Sequence, residues 1–311
     1  MTADSPDTDL GKLITEAVAD HDLALDQLTV AELVTLMNDR DAAIPGAVHA
    51  ALPAITAAIE ATAARVRGGG RLIYVGAGTS GRLGVLDAAE IPPTFGTGGD
   101  VVLGLIAGGP PAIISSVEFA EDSDEAGAAD LAGLAPGPLD TVVGIASSGT
   151  TPYVLGALRL AAERGALTVG LSCNLGTPLS AVAEHGIEIP VGPEILTGST
   201  RLGAGTATKM VLNMFSTISM VALGKTYRTL MVDVKATNAK LMRRAVRIVT
   251  LATGADEDAA RAALDETGWH AKLAIAVIAT GMSVPDATAA LDAAGGVLRK
   301  VIEPAVGTGR H

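Results

Sequence analysis

Two hydrophobic periods alternate along this chain. Between residues 71 and 192, short runs rich in Val, Ile and Leu recur: RLIYVG (71–76), VVLGLIAGG (101–109), DTVVGIASSG (140–149), LTVGLSCN (167–174) and GIEIPVG (186–192). Each run ends at turn residues, and stretches with helical spacing lie between most of them. Near-continuous apolar strands alternating with helices predict an α/β fold in three layers, a parallel sheet covered on both faces.

The flanks read as helical. Leu10, Leu13, Ile14 and Val18 form an apolar stripe at helical spacing. Thr29 and Glu32 make a capping box that opens a helix through Met37. Pro45 opens an Ala-rich helix that ends near Arg67, before Gly68-Gly69-Gly70. Ser199–Gly224 and Asp233–Thr253 are predicted as two further helices, the second stopped by Gly254. Breaks at Gly268, Pro285 and Gly295-Gly296 divide the remaining Ala-rich chain into short helices. The predicted organisation is a helical segment (1–61), a sheet domain (62–225), a connecting helix (226–254), a small helical domain (255–303) and a tail (304–311).

Composition narrows the function. Hydrophobic residues make up 49% of the 311 positions, so membrane spans need checking. The most apolar helix, Met210–Gly224, is interrupted by Asn213, Ser216, Thr217 and Ser219, and reads as a core helix. The acidic N-terminus, MTADSPDTDLGK, lacks the basic and apolar regions of a secretory leader. The single cysteine, Cys173, suits a reducing compartment, so a cytoplasmic location is expected. A net charge of −12 argues against nucleic acid and anionic membrane as partners. An anionic small ligand remains open, because backbone N–H groups can bind it locally. With three Phe, three Tyr and one Trp, a sugar site here would rest on hydrogen bonds rather than ring stacking.

Three Gly/Ser/Thr-rich segments are candidates for such a site. Gly76-Ala77-Gly78-Thr79-Ser80-Gly81 follows a predicted strand and opens a helix. It matches the dinucleotide fingerprint, but no acid stands at the tip of the second strand, where Gly108-Gly109-Pro110-Pro111 lies instead. A tight turn without a ligand is the bland alternative. Ala146-Ser147-Ser148-Gly149-Thr150-Thr151-Pro152 sets four hydroxyls around one glycine before another helix. Helix caps account for one or two of these hydroxyls. Two such loops on one sheet point to a phosphate monoester. The third segment, Glu194 to Lys209, holds Ser199, and its only cations are Arg201 and Lys209. His21, His49, His185, His270 and His311 show no metal-ligand spacing.

Taken together these segments resemble the sugar isomerase (SIS) domain, and more closely the N-acetylmuramic acid 6-phosphate etherases. The resemblance runs through LIYVGAGTSGRLGVLDAAEIPPTFG (72–96), VEFAEDSDEAG (117–127), GIASSGTTPY (144–153), EILTGSTRLGAGTATK (194–209) and MVDVKATNAKL (231–241), and covers roughly residues 8–302. It implies cleavage of the D-lactyl ether of N-acetylmuramic acid 6-phosphate in cell-wall sugar recycling. It also implies no metal or cofactor, and a homodimer with sites near the subunit interface. By motif position the catalytic acids fall on Glu90 and Glu121, and phosphate contacts on Ser80, Ser148 and Thr151, with Thr79 and Ser147 close by. Gly78, Glu194 and Ser199 complete the expected binding set. Two departures each remove a cation that is common in the family: Thr150 stands where an Arg is frequent, and Gly203 where a Lys is.

An alkyl ether resists hydrolysis. Opening the sugar to its aldehyde acidifies the C2 proton, and the C3 lactyl group can then leave by elimination. That route needs a base at C2, an acid at the departing oxygen and a base for the incoming water, all within reach of carboxylates. The residues alone leave two other readings open. One is a non-catalytic sugar-phosphate sensor, and the other is an aldose–ketose isomerase. Read without the family, Glu121 is one of a cluster with Glu118, Asp122, Asp124 and Glu125 that suits a solvated helix face.

Overall fold

A computed structural model describes residues 13–19, 23–234, 236 and 238–303. The N-terminal part opens with two short 3-10 turns, Ile14–Glu16 and Leu25–Gln27. Helices α1 (Val30–Asp41), α2 (Ile44–Ala50) and α3 (Leu52–Arg67) follow. The sheet region runs β1 (Leu72–Gly76), α4 (Gly78–Phe95), β2 (Val102–Ile106), α5 (Pro111–Ile114), α6 (Asp124–Ala132), β3 (Thr141–Ile145), α7 (Pro152–Glu163), β4 (Leu167–Ser172), α8 (Pro178–Val182) and β5 (His185–Glu188). Beyond it come α9 (Gly203–Ala222), the small pair β6 (Thr226–Tyr227) and β7 (Leu230–Met231), α10 (Ala239–Thr253), α11 (Glu257–Glu266), α12 (Ala271–Thr280), α13 (Val284–Ala293) and α14 (Leu298–Ile302).

All five predicted strands form. They pair in parallel in the order β2-β1-β3-β4-β5. Every residue of β1, β3 and β4 is buried, as a sheet covered on both faces requires. The chain runs from β1 outward to β2 on one side and from β3 to β5 on the other. The gap between β1 and β3 is therefore the topological switch point, where doubly wound sheets bind ligands beyond their carboxyl edge.

The helical expectations fare unevenly. The Thr29–Glu32 capping box is present and α10 stops at Gly254 in the left-handed region. The stripe at Leu13, Ile14 and Val18 does not make a helix; only the 3-10 turn forms there, and Leu10 lies outside the described residues. The helix from Pro45 to Arg67 is two helices broken at Ala51, because Pro53 has no N–H to continue the ladder. Met210–Gly224 is buried on one side only: Val211, Leu212, Phe215 and Met220 are enclosed, whereas Ile218 and Val221 are exposed. Among the described residues, no single helix is long and apolar enough to cross a membrane.

The chain divides into two compact units, residues 1–89 with 101–216 and residues 90–100 with 217–311. These boundaries differ from the consecutive segments read in the sequence. The last third of α4 and the residues after it belong with the C-terminal unit, and so does α10. The first unit has the core of a covered sheet, built on Ile73, Val75, Val142, Val154, Leu158 and Leu179. The second packs its short helices around Val246, Val249, Leu264, Ile275, Leu291 and Leu298.

Candidate active site

A cavity of about 360 Å³ opens at the β1/β3 switch point of the first unit. Gly78, Thr79, Ser80, Glu121, Ser147, Ser148 and Thr151 all line it. The structure thus brings the two hydroxyl-bearing loops and one expected acid together.

The first loop is shaped by close backbone approach. A Cβ on Gly76 would stand 2.6 Å from the Gly81 nitrogen, and one on Gly81 would stand 2.6 Å from Ile106 Cγ1 and 2.7 Å from the Gly76 oxygen. Only glycines let α4 start this close to the strand ends. Residues 76–78 carry no side-chain oxygen to cap the helix. The first-turn amides of Gly78, Thr79 and Ser80 have no intrahelical acceptors, and the helix dipole adds positive potential there.

The second loop works differently. Its carbonyl at Ser147 accepts from Cys173 N at 3.0 Å and Asn174 Nδ2 at 2.8 Å, which pins the loop to the end of β4. The first amides of α7 are already engaged: Tyr153 N donates to the Glu121 carbonyl at 3.1 Å, and Val154 N and Leu155 N to the Thr151 carbonyl. This loop brings its hydroxyls to the cavity, and its helix holds Glu121 at the cavity wall. Thr151 is the residue before α7, yet its side chain makes no capping hydrogen bond. Ser148 Oγ accepts from Thr150 N at 3.2 Å and from Thr150 Oγ1 at 3.0 Å. With both lone pairs engaged, the Ser148 hydroxyl has its proton left to donate. Thr150 orients this donor through its own amide and hydroxyl.

The other expected residues lie elsewhere. Glu90 is exposed and belongs to the second unit. It sits twelve residues after Gly78 in α4, an axial rise of about 18 Å. Glu194 is buried, and its two carboxylate oxygens accept from Gly203 N and Ala204 N at 2.9 Å each. It caps α9 from nine residues upstream. Ser199 is half-buried beside Thr200, and only Thr200 reaches the cavity. Arg82 turns its guanidinium onto the Ile113 and Ser115 carbonyls, and among the described residues no Lys, Arg or His lines the cavity. The Cys173 thiol is buried, which pushes its pKa up to about 12. Among the described residues there is no cluster of three or more His, Cys, Asp or Glu able to hold a metal ion.

Sequence reasoning missed two features. Leu13, Glu16 and Asp122 also line the cavity. Asp87, one helical turn before Glu90, accepts from Tyr74 Oη at 2.9 Å and Ser216 Oγ at 3.2 Å, tying α4 to β1 and α9. Burial raises the Asp87 pKa, against the opposing effect of those hydrogen bonds and of Lys209. A carboxylate inside an apolar helix was the available signal for Asp87. Glu16 had no local signal.

Comparison with known proteins places this geometry. The model of the glucokinase regulatory protein N-terminal SIS domain matches residues 54–162, and the SIS domain model matches residues 125–224. A phosphoheptose isomerase from Francisella tularensis superimposes with a TM-score of 0.51 at 16% identity, over 62% of this chain and 100% of that one, a likeness of fold. N-acetylmuramic acid 6-phosphate etherase from Streptomyces avermitilis is 56% identical over 297 residues, 96% of each chain. The etherase from Rubrobacter xylanophilus is 56% identical over 305 residues, 98% of this chain and 99% of that one. With identity at that level sustained from end to end, the chain belongs to the N-acetylmuramic acid 6-phosphate etherase family.

Proposed function

We infer that this chain cleaves the D-lactyl ether of N-acetylmuramic acid 6-phosphate to N-acetylglucosamine 6-phosphate and D-lactate, in the cytoplasmic recycling of cell-wall sugar. The observation that carries this reading is the switch-point cavity, where a carboxylate, Glu121, shares one wall with a neutral set of phosphate donors. The α4 amides and the hydroxyls of Thr79, Ser80, Ser147, Ser148 and Thr151 hold the phosphate. Glu194 and Ser199 act at one remove, by fixing the start of α9 and the turn that carries Thr200.

With the sugar in its aldehyde form, Glu121 takes the C2 proton. The electron pair forms the C2–C3 double bond as the C3–O bond breaks, and Glu90 protonates the departing lactate oxygen. Glu90 then takes a proton from water, whose oxygen adds to C3, and C2 is reprotonated. The net change is ether plus water to two hydroxyl compounds. Each positioned proton transfer contributes roughly 10²–10⁴ in rate.

A homodimer, in which one protomer's Glu90 serves its partner's cavity, belongs to the same reading. Ile114 and Phe119, 90% and 81% exposed on the approach to Glu121, supply apolar surface for such an interface. The first test is D-lactate release from N-acetylmuramic acid 6-phosphate. A sensor or an isomerase releases none. The second is complementation: Glu90→Gln and Glu121→Gln chains, each inactive alone, regain activity as a mixed dimer only if the two acids come from different protomers.

A further inference from the structure

The elimination scheme makes no use of the cavity wall formed by Leu13 and Glu16. Three observations show that this wall is built. Thr15 is fully buried and doubly bonded to one amide: its N–H donates to Asn174 Oδ1 at 3.3 Å, and Asn174 Nδ2 donates to its Oγ1 at 3.0 Å. The same Asn174 Nδ2 donates to the Ser147 carbonyl at 2.8 Å, so one side chain joins the N-terminal turn to the phosphate loop. Gly198, at φ +75°, leaves room for the acid, since a Cβ there would come within 2.8 Å of Glu16 Oε2. Among the described residues the Glu16 carboxylate has no hydrogen-bond or ion-pair partner.

We propose that Glu16 orients the substrate by accepting hydrogen bonds from a hydroxyl or the acetamido N–H of the sugar. This rests on the sugar-phosphate reading above and extends it. A carboxylate accepts but cannot donate, and it repels a phosphate or a lactate carboxylate. Both anionic ends of the substrate are therefore kept from Glu16, and only the neutral edge of the amino sugar satisfies it. The phosphate is directed to the amides and hydroxyls of the two loops. Asn174 is a positioning residue that acts through Thr15.

The test measures binding by calorimetry in the full-length chain, with N-acetylglucosamine 6-phosphate and inorganic phosphate as separate probes. Glu16→Gln and Glu16→Ala are expected to weaken the sugar phosphate about tenfold or more, with phosphate binding unchanged. Asn174→Ala should weaken the sugar phosphate with Glu16 still present, and phosphate as well, because it also releases the Ser147 carbonyl. Unchanged sugar-phosphate affinity in both Glu16 variants overturns the proposal. An equal loss of phosphate affinity in those variants also overturns it, because it shows that the cavity as a whole has collapsed. Because binding needs no turnover, a wild-type chain that releases no lactate sinks the catalytic reading alone. A wild-type chain that binds phosphate and not the sugar phosphate overturns the role of Glu16.

Discussion

The start of α4 and the starts of the C-terminal helices use opposite chemistry. In the C-terminal unit, Asn238, Asp256 and Ser283 each cap a helix by accepting from an amide three residues on. Those donors are satisfied within the chain. At α4 the chain supplies Gly-Ala-Gly where a cap would stand, and at α7 it supplies Thr151, whose hydroxyl makes no cap. The lesson is that the same short polar residues mean different things. A helix start that satisfies itself is structural, and one that leaves donors facing a cavity is set for an anion.

The comparison can be broken by substitution. Its largest test is Glu121→Gln, expected to slow lactate release about 10²–10⁴-fold with an unchanged unfolding midpoint, read by a coupled lactate assay and a thermal melt. Thr151→Ala is next. Loss of a hydrogen bond to a charged group costs about 1.5–3 kcal/mol, so kcat/KM should fall roughly tenfold or more while the melt stays put. A drop in melting temperature would show that Thr151 is a cap after all.

The satisfied groups should behave in the reverse way. Asp140 accepts from Arg71 N, Nε and Nη2 and from Gly137 N. Burial works to raise its pKa, but those bonds outweigh it and the value is lowered. A lowered folded value means stability that is present above the unfolded carboxylate pKa, about 3.9, and is lost as pH falls through the folded value. Asp140→Asn should cost about 1–3 kcal/mol at neutral pH and flatten the acid limb of the stability curve, as denaturant titrations at several pH values would reveal. Asp256→Ala is the smallest, about 0.5–2 kcal/mol of stability, with kcat/KM unaltered.

The sheet was legible because each strand is a local run of apolar residues. RLIYVG and LTVGLSCN need no distant partner to be recognised, and both loops follow directly on strands. What could not be read was non-local. The α9 start is set by Glu194, nine residues upstream, so Ser199–Thr200 looked helical and is not. The N-terminal stripe matched a helix by spacing, yet its conformation is set by Asn174, 159 residues away from Thr15. That contact also brings Glu16 to the cavity. Of the expected site, the hydroxyl loops and Glu121 lie together in the cavity of the first unit, and Glu90 belongs to the second unit.

One consequence follows from the cavity having no cation in its wall among the described residues. The chain carries a net charge of −12, and the substrate has anionic groups at two ends. At long range the approach is therefore uphill, and the attraction begins only where amides and hydroxyls touch the phosphate. Dissolved ions shorten the reach of that repulsion, to about 10 Å at 0.1 M, and leave the contact bonds nearly intact. Capture of the substrate should quicken as ionic strength rises, the reverse of what a lysine- or arginine-lined phosphate site would do.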